Sequence, residues 1–503
     1  MILFNQETKT FHLKTSKTSY LMKVLETGHL LHLYWGRPLK SENLDYTVRR
    51  KDWFSFVANT DNIDAFHLES KEQEYPGYGS TDLRSPAIEL EFADGTSATD
   101  FRYVDYKIVD GKPALEGLPA TYVEANKEAQ TLIITLTDKV KNVDVELSFT
   151  VFEEYNAIAR SVKVINKSAD DVKIQRVLSA NVKDSKFEMI QLSGSWARER
   201  HIIRTPLRIG GQYVESRRGA SSHAQNPFMA LVRKDVTETN GDVYAMSLVY
   251  SGNFLANTEV DMYSKARMQI GINPFDFTWL LKAGEEFQAP EAVLVYSNEG
   301  LTGMSHTYQN LYGKRLMRGV WRDKARPVLI NNWEATYFDF NETKIKEIAK
   351  QASEFGIELF VLDDGWFGER NNDDRSLGDW FVNENKIRGG LKKLVDEING
   401  MGMKFGLWFE PEMVCPISKL YEAHPDWCLH IEGRTRSTAR RQLILDLSRK
   451  EVCDYIIKSV SDVLASASIE YVKWDMNRNM TEIGSAVLPA ERQREVAHRY
   501  MLG

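Results

Sequence analysis

Hydrophobic and polar positions follow two different rhythms along the chain. Over residues 1–300 the dominant period is two. In VDVELSFTV, Val143, Val145, Leu147, Phe149 and Val151 fall on one face, and Asp144, Glu146, Ser148 and Thr150 on the other. That alternation is the signature of a half-buried antiparallel strand. TLIITLTD (131–138), AIARSVKVIN (157–166), VYAMSLVYSGNF (243–254) and AVLVYS (292–297) repeat it, with turn-rich pieces such as GLPATY between them. Many short strands at this spacing predict a large amino-terminal β-sandwich over residues 1–300.

After residue 300 the period lengthens. LTGMSHTYQNLYGKRLM (301–317) reads as a helix, and residues 301–325 are expected to form a helical linker. From residue 326 to 503, near-continuous apolar strands alternate with amphipathic helices. VLINNW (328–333), ELFVLDDGW (358–366), KFGLWFEPEM (404–413) and IEYVKWDMN (469–477) are the strands; NETKIKEIAKQASEFG and GGLKKLVDEINGMG are two of the helices. Strands apolar on both faces, each followed by a helix, mean βα units and a parallel sheet. Four principal strands end near Asn332, Asp363, Glu410 and Asp475; LILDLS (443–448) is a short extra strand or a loop segment. The expected class is therefore multidomain α/β plus β, a β-sandwich followed by the first half of a (β/α)8 barrel. A complete barrel takes about 250 residues, more than lie between 326 and 503. The simplest reading is a carboxyl-terminally truncated sequence holding barrel strands one to four.

Composition changes this picture little. A net charge of −7 in 503 residues, with no polybasic run, argues against a nucleic-acid surface. No apolar run approaches the roughly 18 residues that span a bilayer, and the amino terminus lacks a signal-peptide pattern, so a cytoplasmic protein is the expectation. Three cysteines, Cys415, Cys428 and Cys453, give no disulfide framework and suggest a reducing compartment.

Candidate chemistry lies at the strand ends. Four times an apolar strand runs into a polar cluster with a Trp in it or beside it: NNWE (331–334), DDGW (363–366), FEPE (409–412) and KWDMN (473–477). In barrels the carboxyl ends of the strands carry the active site. One such cluster could simply cap the next helix; four in succession outline a polar pocket rimmed with indole. Carboxylates beside Trp, with few His or Cys nearby, suit glycoside chemistry, which needs a carboxylate close to the anomeric carbon and acceptors for sugar hydroxyls. The competing reading is a Mg²⁺ site built on Asp363, Glu410 and Asp475. Neighbouring Trp residues and Lys473 fit sugar hydroxyls better than a hydrated cation, so neither metal nor cofactor is expected.

At these strand ends the sequence resembles glycoside hydrolase family 36, in particular its bacterial α-galactosidases. The resemblance rests on EYPGYGSTDLRSPA (74–87), SRRGASSHAQNPFMAL (216–231), INNWEATYFDF (330–340), FVLDDGWFGER (360–370), GLWFEPEMV (406–414), ARRQLILDLS (439–448) and YVKWDMNR (471–478). It implies a retaining α-galactosidase acting by double displacement on melibiose- and raffinose-type oligosaccharides. Asp475 matches the nucleophile, and Asp363 and Asp364 the pair that receives the galactose 4- and 6-hydroxyls. Trp333 and Trp408 match walls of the sugar subsite, Lys473 a lysine donating to sugar hydroxyls, and Arg440 an arginine of the same pocket. Asn477 is a polar neighbour, and Asp52 in RRKDW matches an aspartate that leans in from the amino-terminal region. A homotetramer assembled through the sandwich is implied as well. EYPGYG and SRRGASSH are read as packing or interface segments.

The pattern departs from the family in two places. Ala439 and Arg441 stand where the family has glycine and asparagine around its arginine, adding a cation beside the pocket. The family's acid/base aspartate follows a later barrel strand in a serine-aspartate-aspartate context, and no such segment occurs before Gly503. The 503 residues alone are accordingly expected to be inactive. A galactosyltransferase of the raffinose-synthase type and a non-catalytic galactose-binding remnant are the alternatives.

Overall fold

The computed structural model describes residues 1–48, 56–184 and 187–503. They form two compact units, Met1–Arg322 and Asp323–Gly503.

The first unit is built from antiparallel sheets. Ile2–Asn5, Thr10–Lys14, Ser19–Val24 and Leu30–Gly36 make a four-stranded meander, and a ten-stranded and a six-stranded sheet follow. The alternating segment 143–151 lies within the strand Val143–Phe152, paired along its length with Gln130–Asp138 and Ala157–Asn166. Its apolar face is fully buried, as the period of two requires. The polar face is more covered than a half-exposed strand would be. Asp144 and Thr150 are buried too, with hydrogen bonds to Thr137 (2.7 Å) and Thr131 (2.8 Å). Aromatic contacts join the meander to the ten-stranded sheet: Tyr20 meets Phe149 at 5.9 Å and Trp35 meets Tyr244 at 5.4 Å.

The segment read as a linker is part of this unit. The helix Gly300–Arg315 buries Tyr308 and Leu311 among Val293, Val295 and Ala245 of the large sheet. Its Tyr308 hydroxyl donates to the Val293 carbonyl (2.9 Å), and Arg315 pairs with Glu128 (2.8 Å). An apolar stripe of only a few residues is enough to dock one helix on a sheet, and the boundary therefore falls after Arg322 instead of at residue 300.

In the second unit four parallel strands lie side by side in chain order: Leu329–Asn331, Leu359–Leu362, Lys404–Phe409 and Tyr471–Trp474. They are called the first to fourth barrel strands below. The helices Glu342–Glu354, Gly390–Gly400 and Lys450–Ala465 connect or follow them. Asn341 caps the first of these by accepting the Lys344 N–H (3.0 Å). Phe360, Leu362, Phe405, Leu407 and Phe409 on the two central strands are wholly buried, the pattern of a sheet covered on both faces. Of LILDLS, only Leu443–Ile444 is strand, pairing antiparallel with Met413–Val414. No described helix is long and apolar enough to cross a membrane.

Candidate active site

Each barrel strand delivers its polar residues at the carboxyl end, where the ladder stops and side chains turn inward. The second strand ends in Asp363 and Asp364, both buried. Asp363 is tied from two sides, by the Asn331 amide at the end of the first strand and by Lys473 Nζ (2.7 Å) on the fourth. Its backbone N–H donates to Asn332 Oδ1 (2.8 Å), which sets the turn leaving the strand. Lys473 thus reaches across the whole third strand to a carboxylate two strands away.

Asp364 points to a different cation. Arg370, fully buried, donates through Nε to Oδ1 (3.0 Å) and through Nη2 to Oδ2 (2.9 Å), the two-pronged arrangement that suits a guanidinium. Burial pushes the Asp364 carboxyl up and the Arg370 partner pulls it back, with a net upward shift. Behind the pair, Lys386 Nζ donates to the carbonyls of Phe338, Gly365 and Arg370, each at 3.0 Å. Burial lowers this ammonium to about 8.

The third and fourth strands bring a second group together. Trp408 donates its indole N–H to Asp475 Oδ2 (3.1 Å), and Asn477 donates its amide to the same oxygen (2.8 Å). Among the described residues, Asp475 Oδ1 receives only the Met476 N–H, at 3.2 Å. The Asp475 N–H continues the ladder by donating to the Phe409 carbonyl (2.8 Å), so the residue leaves the strand with its direction fixed. Trp408 itself is immobilised: it lies parallel to Phe367, with the ring centroids 6.0 Å apart, and its carbonyl receives the Trp366 indole (2.9 Å). Glu410, next along the third strand, accepts the Asn477 backbone N–H (2.7 Å) and the Gln442 side-chain amide (3.0 Å). Burial, and secondarily the Asp475 charge, push the Glu410 carboxyl up to about 7 against these hydrogen bonds.

Asp363, Asp364, Trp408, Lys473, Asp475 and Asn477 therefore all lie at the ends of the second to fourth strands. Two other expected residues stand further off. Trp333 begins a short turn of helix after the first strand, half-buried with its ring edge-to-face against Tyr337 and Phe338. Phe338 in turn faces the Arg370 guanidinium at 5.7 Å. Arg440 is exposed and donates to Asp373 (3.1 Å), a residue 3.5 Å from Arg370; neither Asp363 nor Asp475 is its partner. Asp52 lies outside the described residues. Among the described residues no group of three or more His, Cys, Asp or Glu could hold a metal ion, so Asp363, Glu410 and Asp475 do not converge as ligands.

Arg370, Gln442 and Asn331 were not singled out from the sequence as site residues. Arg370 sits six residues after Asp364 in a polar loop, and loop spacing carries no period that says which way a side chain turns. Its only signal was a lone cation beside a pair of acids destined for burial, since a buried acid pair needs one.

Two family models together match most of the chain. The glycosyl hydrolase family 36 N-terminal domain model matches residues 28–282, and the melibiase model residues 286–503. An α-galactosidase of Geobacillus stearothermophilus is 56% identical over 505 residues, covering 100% of this chain and 69% of the relative. One from Lactobacillus acidophilus is 43% identical over 507 residues, again with 69% of the relative covered. A crystal structure of another Geobacillus stearothermophilus α-galactosidase superposes with a TM-score of 0.97 at 55% identity, covering 100% of this chain and 69% of that one. A variant of the first Geobacillus enzyme, solved in complex with raffinose, superposes with the same TM-score of 0.97 over 98% of this chain.

Proposed function

Since the chain belongs to glycoside hydrolase family 36, we infer that its strand-end cluster is the nucleophile side of an α-galactosidase site. The activity is retaining hydrolysis of terminal α-linked galactose from oligosaccharides of the melibiose and raffinose type. The observation that carries the assignment of roles is the asymmetry of Asp475. Two donors hold Oδ2, while among the described residues Oδ1 has a single N–H, at 3.2 Å, and keeps lone pairs for attack.

In the first displacement Asp475 Oδ1 bonds to the anomeric carbon and the bond from that carbon to the leaving oxygen breaks. The leaving oxygen takes a proton from a second carboxyl group. In the second displacement that group takes a proton from water, the water oxygen bonds to the anomeric carbon, and Asp475 is released with net retention. The resemblance gives the second role to an aspartate after a later barrel strand, a segment without a counterpart in residues 1–503.

Asp363 and Asp364 are the acceptors for hydroxyls of the bound galactose. Lys473 holds Asp363 in place and has donors left for the sugar; Arg370 does the same for Asp364 from behind. Trp408 and Trp333 supply apolar faces for the C–H side of the ring. Arg440, exposed and braced on Asp373, is in place to act at the pocket's rim. Assembly as a homotetramer through the sandwich and a cytoplasmic location belong to the same reading; the latter is supported by three free thiols, Cys415, Cys428 and Cys453.

The test is to trap the intermediate. The protein that carries this sequence would be treated with a fluorinated α-galactosyl donor that forms the ester quickly and releases it slowly. Peptide mass mapping should place one galactosyl adduct on Asp475. An adduct on any other carboxylate would remove Asp475 from the nucleophile's role.

A further inference from the structure

Glu410 is 1% exposed, and the mechanism above gives it no task. An ionisable side chain kept out of water at a strand end costs several kcal/mol unless specific partners hold it. Its partners are specific: Oε1 accepts the backbone N–H of Asn477, and Oε2 accepts the amide of Gln442. Gln442 is itself completely buried, and its backbone carbonyl is held by Arg478 (2.6 Å), a residue that also grips the Ser437 backbone carbonyl (2.9 Å). The chain leaving the fourth strand is thus clamped at residue 477 by Glu410 and at residue 478 by the Gln442 loop. Asn477 is the residue whose side-chain amide holds Asp475 Oδ2.

We propose that Glu410 is a positioning residue for the nucleophile: by fixing the Asn477 backbone it aims the Asn477 amide at Asp475 Oδ2 and leaves Oδ1 directed at the anomeric carbon. A Glu410 carboxyl oxygen accepts the Asn477 N–H. A glutamine at this place could also accept the Asn477 N–H, and Gln442, whose Oε1 has no hydrogen-bond partner among the described residues, could turn its amide to accept from the new NH2. Glu410 makes its hydrogen bonds to Asn477 and Gln442 and none to Asp475, so the positioning effect passes through Asn477.

The inference rests on Asp475 being the nucleophile, and the experiment separates the two. In the protein that carries this sequence, the first-order rate of galactosylation by the same trapping donor would be measured for wild type, Glu410→Ala, Asn477→Ala, the double variant, and the exchange Glu410→Gln with Gln442→Glu. Displacement of a reacting group by about 1 Å costs up to about 100-fold. Glu410→Ala and Asn477→Ala should each slow galactosylation by roughly 10- to 100-fold, with donor affinity changed less than about 3-fold, because the loss falls on orientation and not on ground-state binding. The double variant should be no slower than the slower single one, since both act through one contact. The exchange keeps residue 410 as the acceptor of the Asn477 N–H and reverses donor and acceptor only between positions 410 and 442, and should recover the rate to within about 5-fold of wild type. Should Glu410→Ala fail to fold, the exchange and Asn477→Ala still decide the matter. An unchanged rate in Glu410→Ala, additive losses, or a correctly folded exchange variant as slow as Asn477→Ala would each overturn the inference while the adduct stays on Asp475. An adduct elsewhere would instead sink the nucleophile reading.

Discussion

Both units bury carboxylates, and they do so in opposite ways. In the first unit Asp82, within the segment EYPGYGSTDLRSPA, is saturated. Oδ1 accepts Arg84 Nε (2.8 Å) and the Arg84 N–H (3.2 Å); Oδ2 accepts Arg84 Nη2 (3.0 Å), Arg267 Nη2 (2.7 Å) and Gln73 Nε2 (3.0 Å). Burial alone would raise this carboxyl, but the Arg267 and Arg84 guanidinium groups outweigh it and hold it at about 2. In the second unit Asp475 is half-buried, held through one oxygen by two neutral donors, with the other oxygen nearly free. A buried carboxylate with every lone pair spoken for by fixed cations can do nothing but hold structure. One oriented by neutral groups and left with an open oxygen keeps its nucleophilicity. Counting the unspent lone pairs separates a structural acid from a reactive one more sharply than burial does.

Substitution at the two sites should therefore split activity from stability. Asp475→Asn removes the attacking charge but keeps both hydrogen-bond geometries. In the protein that carries this sequence, hydrolysis of an aryl α-galactoside should fall by at least about 10⁴-fold, with the unfolding midpoint within a degree or two of wild type. Asp82→Ala does the reverse. It leaves Arg84 and Arg267 buried without their common partner, which should cost about 3–5 kcal/mol in denaturant unfolding. Turnover per folded molecule should be unaltered; a folded Asp82→Ala protein with a collapsed kcat would show that the contrast is misdrawn.

The contrast extends to pH with opposite signs. For Asp82 the folded pKa, about 2, lies below the ordinary aspartate value of 3.8, so its contribution is present above that value and is lost as pH falls towards 2. For Glu410 the folded value, about 7, lies above the ordinary glutamate value of 4.5; its contribution is present below 4.5 and is lost as pH rises through 7. At about 1.4 kcal/mol per unit, the Glu410 effect is of the order of 3 kcal/mol between pH 4.5 and 8. Calorimetry of wild type against Glu410→Gln should thus show the wild type's relative stability declining from pH 5 to pH 8. A difference independent of pH would mean that Glu410 stays ionised throughout.

Much of this could be read from the sequence, for a physical reason. The barrel strands are apolar on both faces, so their ends stand out wherever polar residues begin, and six of the expected residues gather at those ends. The sandwich was legible through its period of two. What escaped were contacts made by loops. Arg370 and Gln442 sit in segments with no repeat to fix their direction, and the helix Gly300–Arg315 has too short an apolar stripe to announce its sheet. Arg440 shows the same limit: its segment could be identified, but its bond to Asp373 depends on loop geometry that spacing does not encode.

That loop offers the smallest effect and the finest test of the comparison. Arg440 and Arg441 both have left-handed backbone, with φ of +50° and +57°. Such a conformation costs a branched or long L-residue roughly 1 kcal/mol, and asparagine adopts it more readily than most. Arg441 is exposed, so no buried partner compensates. The asparagine that the family carries at this place suits the backbone found here, and Arg441→Asn should raise stability by about 0.5 kcal/mol or slightly more without moving Asp475. Two outcomes are informative. A small rise in the unfolding midpoint with kcat unchanged keeps the loop on the structural side of the line drawn by Asp82. A change in KM at constant stability would place the Arg441 charge at the pocket's rim, beside Arg440, where it acts on the sugar instead of on the fold.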